Sequence, residues 1–252
     1  MSVFQIYFSP TNHTKTIVKM VGDVFGSSTE IDLSRRNMTE QRSFSEKDIC
    51  VIGVPSYGGR VPAVALERMA QWQGNGAKTV LLVSYGNRDY EDTLKELQDF
   101  LVGKGFQCIA AIAAVAEHSI MHQFAAGRPD VQDQKELISF AEEIIEKLKE
   151  GTTKTSLHLK GNIPYKEYNG VPLKPQADDS CRGCGVCALQ CPVGAISTEN
   201  PKATDTDQCI SCMRCIEVCP SHARKLDEMM LKAISAKMEE VCTQRKENEL
   251  FL

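Results

Sequence analysis

The chain has 252 residues, 42 % of them hydrophobic, with a formal net charge of -4 and eleven cysteines. That is enough to bury a substantial core and more than one domain, so two domains are expected. A slightly acidic chain without a basic run excludes a nucleic-acid partner, and no apolar stretch reaches membrane length. No leader is expected either, because the first residues already read as a strand; cysteines in such a chain imply a reducing cytoplasm.

Along the first 150 positions, apolar runs bounded by turn residues alternate with helical patterns, the signature of βαβ units around a parallel sheet. Strands are predicted at residues 3–8, 29–33, 48–54, 79–84 and 106–115, and helices at 14–25, 61–73, 91–103 and 132–149. Five strands of this rhythm predict an α/β fold, a five-stranded doubly wound parallel sheet, whose ligands bind beyond the carboxyl ends of the strands. The loops there decide what the domain binds.

After strand one stands Ser9-Pro10-Thr11-Asn12-His13-Thr14-Lys15, opening a helix. Hydroxyls and free backbone N–H groups at a helix N-terminus suit a phosphate, although Ser and Thr are also ordinary helix caps. After strand three stands Pro55-Ser56-Tyr57-Gly58-Gly59-Arg60, and after strand four Ser84-Tyr85-Gly86-Asn87. Glycines let backbone approach a flat ring, and a tyrosine can stack on it. No GxGxxG follows any strand, so a nicotinamide dinucleotide has no fingerprint here.

These three loops resemble those of flavodoxins, with Asn12 where the flavodoxin phosphate loop has glycine; Asn tolerates the left-handed turn best after Gly. The resemblance implies FMN held by Ser9, Thr11, Asn12, His13, Thr14 and Lys15, by Pro55, Ser56, Tyr57, Gly58 and Gly59, and by Ser84, Tyr85, Gly86 and Asn87. Strand five runs on without the insertion of long-chain flavodoxins, as in the short-chain group.

Residues 151–176 are rich in Gly and Pro and carry Lys154, Lys160, Lys166 and Lys174 with Tyr165 and Tyr168. A connection this long rarely hangs free, and it is expected to pack along the first domain.

Next comes CxxCxxCxxxCP twice, at Cys181, Cys184, Cys187 and Cys191 with Pro192, and at Cys209, Cys212, Cys215 and Cys219 with Pro220. Three closely spaced cysteines hold one corner of a four-iron cubane, while the fourth lies too far along and serves the other cluster. Two [4Fe-4S] clusters follow, one on Cys181, Cys184, Cys187 and Cys219, the other on Cys209, Cys212, Cys215 and Cys191. Structural zinc would need two pairs per ion, which this spacing does not offer. Acidic residues (Asp178, Asp179, Glu199, Asp205, Asp207, Glu217) outnumber basic ones (Arg182, Lys202, Arg214) around the motif, which favours low potentials. Residues 177–224 resemble the bacterial two-cluster ferredoxins, which implies low-potential single-electron transfer.

The tail, 225–252, carries Leu226, Met230, Ile234, Met238 and Val241 at helical spacing and reads as a helix packed on the core. Cys50, Cys108 and Cys242 are expected to be inert packing residues.

The whole chain resembles the flavodoxin–ferredoxin fusions called ferrodoxins, found mostly in anaerobes. An electron carrier is expected, relaying low-potential single electrons between the clusters and FMN and joining one-electron to two-electron partners. The partners implied are redox proteins, a ferredoxin or an iron-sulfur or flavin oxidoreductase, with a homodimer as a further arrangement. The alternative is an FMN-dependent reductase of a small molecule, with His118 and His122 as proton donors beyond strand five and Arg60 orienting an anionic substrate. A third reading is a redox sensor or zinc module without flavin.

Overall fold

The apolar runs become the central strands in a computed structural model that describes residues 2–38, 40–151 and 157–252; Lys154 lies outside the described residues. In chain order the elements are β1 (Val3–Tyr7), α1 (His13–Gly22), β2 (Ser28–Asp32), β3 (Ile49–Pro55), α2 (Ala63–Met69), β4 (Lys78–Tyr85), α3 (Thr93–Gly103), β5 (Gln107–Val115) and α4 (Val131–Glu150). There follow β6 (Gln176–Ala177), α5 (Val186–Gln190), α6 (Arg214–Glu217), β7 (Arg224–Lys225), α7 (Glu228–Cys242) and β8 (Glu249–Phe251).

The first five strands are parallel and lie in the order β2-β1-β3-β4-β5. Alternate side chains of a strand leave on opposite faces. Ile6, Ile52 and Leu81 therefore enter one core with Trp72 and with Leu94 and Leu97 of α3. Tyr7, Val51 and Leu82 enter the other, with Ile17, Val18 and Val21 of α1 and Leu137, Ala141 and Ile144 of α4. Strands buried on both faces are apolar at nearly every position, which is why these segments were legible as runs.

Three expectations need correction. The sheet has six strands, because β8 pairs antiparallel with β5, Ala111 opposite Phe251 and Ala113 opposite Glu249. A free β5 edge would present unpaired N–H and C=O groups, and the end of the chain covers it. The tail is therefore a helix followed by a returning strand. Helix α2 is shorter than 61–73: it starts after Pro62 and ends at Met69, and the chain then turns so that Trp72 enters the core and its indole N–H donates to the Glu40 carbonyl at 3.0 Å.

The connection after α4 lies along α3. Asp92 accepts from the amides of Asn162 (2.8 Å) and Lys166 (2.6 Å), Tyr165 donates to Asp99 at 2.6 Å, and Gln98 donates to the Leu157 carbonyl at 3.1 Å. It leads into the cysteine-rich region, whose entry and exit strands pair as β6 with β7, Ala177 opposite Arg224.

Candidate redox site

A cavity of about 410 Å³ opens at the carboxyl ends of β1, β3, β4 and β5. Each predicted loop contributes to its wall. From the first come Thr11, His13 and Thr14. Asn12 adopts the left-handed conformation, φ 66°, that its resemblance to a glycine position requires. The N-cap side chain of Asn12 makes no cap hydrogen bond, so apart from the Lys15 amide the first-turn N–H groups and the positive end of the helix are left for an anion at the cavity wall. Ser9 shapes the loop from outside the lining: its hydroxyl accepts from the Lys15 amide at 2.9 Å, and its own amide donates to Ser34 Oγ at 2.5 Å. Lys15 points away, 3.1 Å from the Glu30 carboxylate.

From the second loop come Pro55, Ser56, Tyr57 and Gly58. Gly58 has φ +61°, and a Cβ there would lie 2.3 Å from the Tyr168 ring. Gly59 faces Glu91 instead, so it does not line the cavity. From the third come Ser84, Tyr85 and Gly86, with the Ser84 hydroxyl 2.7 Å from that of Thr14. A Cβ on Gly86 would lie 2.5 Å from the His118 ring. Asn87 turns away: its side-chain amide donates to the carbonyls of Cys242 (2.6 Å) and Gln244 (2.7 Å), clamping the tail.

Of the residues marked for proton or substrate chemistry, only His118 lines the cavity. Its Nδ1 accepts from the amides of Ile120 (3.2 Å) and Met121 (3.1 Å), so the proton of the neutral ring sits on Nε2. Burial pushes its pKa down to about 4. With Nδ1 occupied as an acceptor, Nε2–H is the ring's hydrogen-bond donor. His122 is outside the lining, its Nδ1 2.6 Å from Glu117. Arg60 is outside as well: it grips Glu96 with two nitrogens, at 2.9 and 2.6 Å, and donates to the Lys166 carbonyl at 2.6 Å. It fastens the connection to α3.

Several wall residues had no sequence signal. Lys166 and Tyr168 come from the connection, Ile234 and Met238 from α7, and Ser211 from the second cysteine motif. Tyr57 is partly buried, and its phenol is pushed well above the ordinary range by burial and then by the nearby Cys212 and Tyr168.

The cysteines gather in two sets. Cys181, Cys184, Cys187 and Cys219 line one space, and Cys191, Cys209, Cys212 and Cys215 line another, so the fourth cysteine of each motif joins the other motif's three. Among the described residues no three such side chains have the spacing of a single bound ion. Gly185 and Met213 start α5 and α6 in left-handed conformations, φ 76° and 62°, turning the chain between successive cysteines. Cys187 and Cys215, one from each set, share an apolar cluster with Ala188 and Ile196.

Four cations join this region to the sheet and the connection. Arg68, buried, donates to the carbonyl of Leu33 and, at 2.7 Å, to that of Pro192. Arg36 reaches the Ala188 carbonyl at 3.1 Å, and Arg214 reaches the Pro10 carbonyl at 3.0 Å and Gln190 at 2.5 Å. Lys174 donates to the Cys209 carbonyl at 2.5 Å.

The strand order 2-1-3-4-5 is that of the flavodoxin-like doubly wound sheet, with its cavity at the carboxyl ends. Joined to it is a cysteine-rich region of ferredoxin type, so the chain combines a flavodoxin-like sheet with a 4Fe-4S dicluster region. Residues 180–223 match the 4Fe-4S dicluster domain family. One component of an ion-translocating oxidoreductase complex from Methanosarcina acetivorans is 36 % identical over 58 residues, 23 % of this chain and 22 % of that one. A trichloroethene reductive dehalogenase from Dehalococcoides mccartyi is 32 % identical over 92 residues, 31 % of this chain and 16 % of that one. The chain thus spans about a fifth of the length of these curated relatives. Among solved structures, flavodoxin 2 from Bacillus cereus covers 58 % of this chain and 99 % of its own, at 13 % identity and a TM-score of 0.45. Among the described residues no helix is long and apolar enough to cross a membrane.

Proposed function

We propose that this chain is an electron relay that holds one FMN in the loop-lined cavity and one [4Fe-4S] cluster on each set of four cysteines. The observation that carries the proposal is a shared wall. Ser211, the residue before Cys212 of the second set, lines the cavity, and Tyr57 in that wall packs on the same core as Ile210, which lines the space of the second set.

The residues fit these groups. The start of α1, whose Asn12 side chain leaves the cap open, would take the phosphate with Thr11 and Thr14, and the Tyr57-Gly58 and Tyr85-Gly86 turns would flank the ring. When bound, four-iron clusters exchange single electrons and FMN stores one or two, so together they match one-electron to two-electron partners. His118 is held by two amides as a fixed hydrogen-bond donor at the cavity wall. The connection and three of the cations, Arg68, Lys174 and Arg214, hold the second cysteine set against the cavity. We assign residues 1–150 to the flavin domain, 151–176 to the connection, 177–224 to the cluster domain and 225–252 to the tail. The setting is the reducing cytoplasm and the partners are redox proteins.

The reductase alternative has less support, since His122 lies outside the lining, Arg60 is committed to Glu96, and burial lowers the His118 pKa.

The test is anaerobic purification with iron, sulfide and flavin quantitation, then a reductive titration followed by optical and EPR spectra. About eight irons and one FMN, with electrons reaching both kinds of centre, is the expected result. Zinc in place of iron, or absence of flavin, would refute the relay.

A further inference from the structure

We infer that the two cysteine sets are inequivalent in a fixed order. Cys191, Cys209, Cys212 and Cys215 form the inner set that exchanges electrons with the flavin cavity. Cys181, Cys184, Cys187 and Cys219 form the outer set, and its exposed edge is the port for a one-electron protein carrier. This rests on the relay reading and adds an order and a docking face to it.

The inner set is enclosed by the rest of the chain. Ile210, in its lining, packs on the core of the sheet together with Tyr57. The next residue, Ser211, is buried and faces the flavin cavity. Arg68 holds the carbonyl of Pro192, directly after Cys191, and Lys174 holds that of Cys209. Arg214, between Cys212 and Cys215, reaches back to Pro10, itself part of the cavity wall. Every fastening of this region described above meets the inner set or α5.

The outer set faces water. Cys184 is exposed and Cys181 half-buried, and a Cβ on Gly183 or Gly185 would meet nothing within 4 Å. Arg182, in the lining of this set, is exposed. Nearby on α5, Leu189 is 65 % exposed, in a region whose other large aliphatic side chains are at least partly covered. A small apolar patch next to an accessible metal site suits brief contact with a protein carrier, since a short-lived redox complex needs little buried area. The apolar cluster containing Cys187 and Cys215 then connects the outer set to the inner. At each transfer the carrier loses one electron and the outer centre gains it; no bond is made or broken. With the flow reversed, the same edge is the exit.

The experiment uses the anaerobic holoprotein and a reduced bacterial two-cluster ferredoxin as probe, in stopped flow, with dithionite as a donor that needs no docking. Leu189→Gln and Leu189→Glu should slow reduction by the ferredoxin at least fivefold and leave reduction by dithionite unchanged. Met229→Gln, at an 82 % exposed position on α7, should leave both rates as they were. Hydrogen exchange gives a second readout: added ferredoxin should protect peptides spanning 181–190. Protection at 226–241 instead, or slowing confined to Met229→Gln, would overturn the order, as would unchanged ferredoxin rates in all three variants. Iron and flavin counts on the same samples separate this from failure of the relay itself, which would show as missing cofactor before any kinetics.

Discussion

Replacing Arg68 with alanine tests whether the two halves form one mechanical unit. The side chain is 8 % exposed and satisfies two carbonyls, Leu33 in the sheet domain and Pro192 in the cluster region. Each hydrogen bond from a charged donor contributes about 1.5–3 kcal/mol, so the gross loss is about 3–6 kcal/mol. Part is recovered, because burial holds the guanidinium pKa below its ordinary value and a desolvated charge disappears with the mutation. A net loss of about 3 kcal/mol remains, and at about 2–4 °C per kcal/mol for a chain of this size the midpoint should fall by about 6–12 °C. Anaerobic calorimetry of the holoprotein is the assay. Arg68→Ala should also split one transition into two, as the cluster region loses its fastening at Pro192. Arg68→Lys, with a compact head that reaches one carbonyl, should fall between. A variant that melts within 2 °C of the parent, in a single transition, would refute the clamp.

Gly86→Ala would place a Cβ 2.5 Å from the His118 ring; titration with FMN should show about tenfold weaker binding, a cost of about 1.4 kcal/mol from displacing the ring. His118 has its pKa lowered by burial to about 4, so it adds stability above its unfolded value near 6.5 and loses it as pH falls toward 4. His118→Asn, which keeps an acceptor for the Ile120 and Met121 amides, should flatten the decline in melting temperature between pH 7.5 and 5.5; an unchanged slope would sink the assignment. Cys191→Ser should remove the centre held by Cys209, Cys212 and Cys215, and Cys219→Ser the one held by Cys181, Cys184 and Cys187. About four irons should remain in each case. Loss of the opposite centre, read by EPR, would reject the crossed sets.

The cysteine sets were legible because local spacing dictates them: three ligands within seven residues and a fourth sent elsewhere by proline. The parallel strands were legible because strands covered on both faces are apolar throughout. The first loop was readable down to the left-handed backbone of Asn12. What failed were side chains whose roles depend on distant partners. Asn87 sits in a loop of the expected kind yet serves Cys242 and Gln244, and Arg60 is claimed by Glu96. Arg68 reaching Pro192, or Arg214 reaching Pro10, leaves no local pattern, because an arginine that meets a backbone carbonyl far along the chain needs no particular neighbours. A three-residue strand such as β8 is too short for periodicity to register, and its pairing came from the open edge of β5.

The way the chain returns to the sheet changes what kind of fusion this is. Since β8 completes the sheet after the cluster region, and β6 pairs with β7 at its neck, the cluster region is an insert in the flavodoxin-like sheet domain, leaving and rejoining it through adjacent strands. An appended domain swings on one tether and can be lost by truncation. An insert is held by both ends, and a premature stop anywhere beyond it strips the last strand from the sheet. Loss of the tail therefore damages the sheet that carries the loop-lined cavity, and an intact sheet certifies that the cysteine-rich segment before its last strand was synthesised.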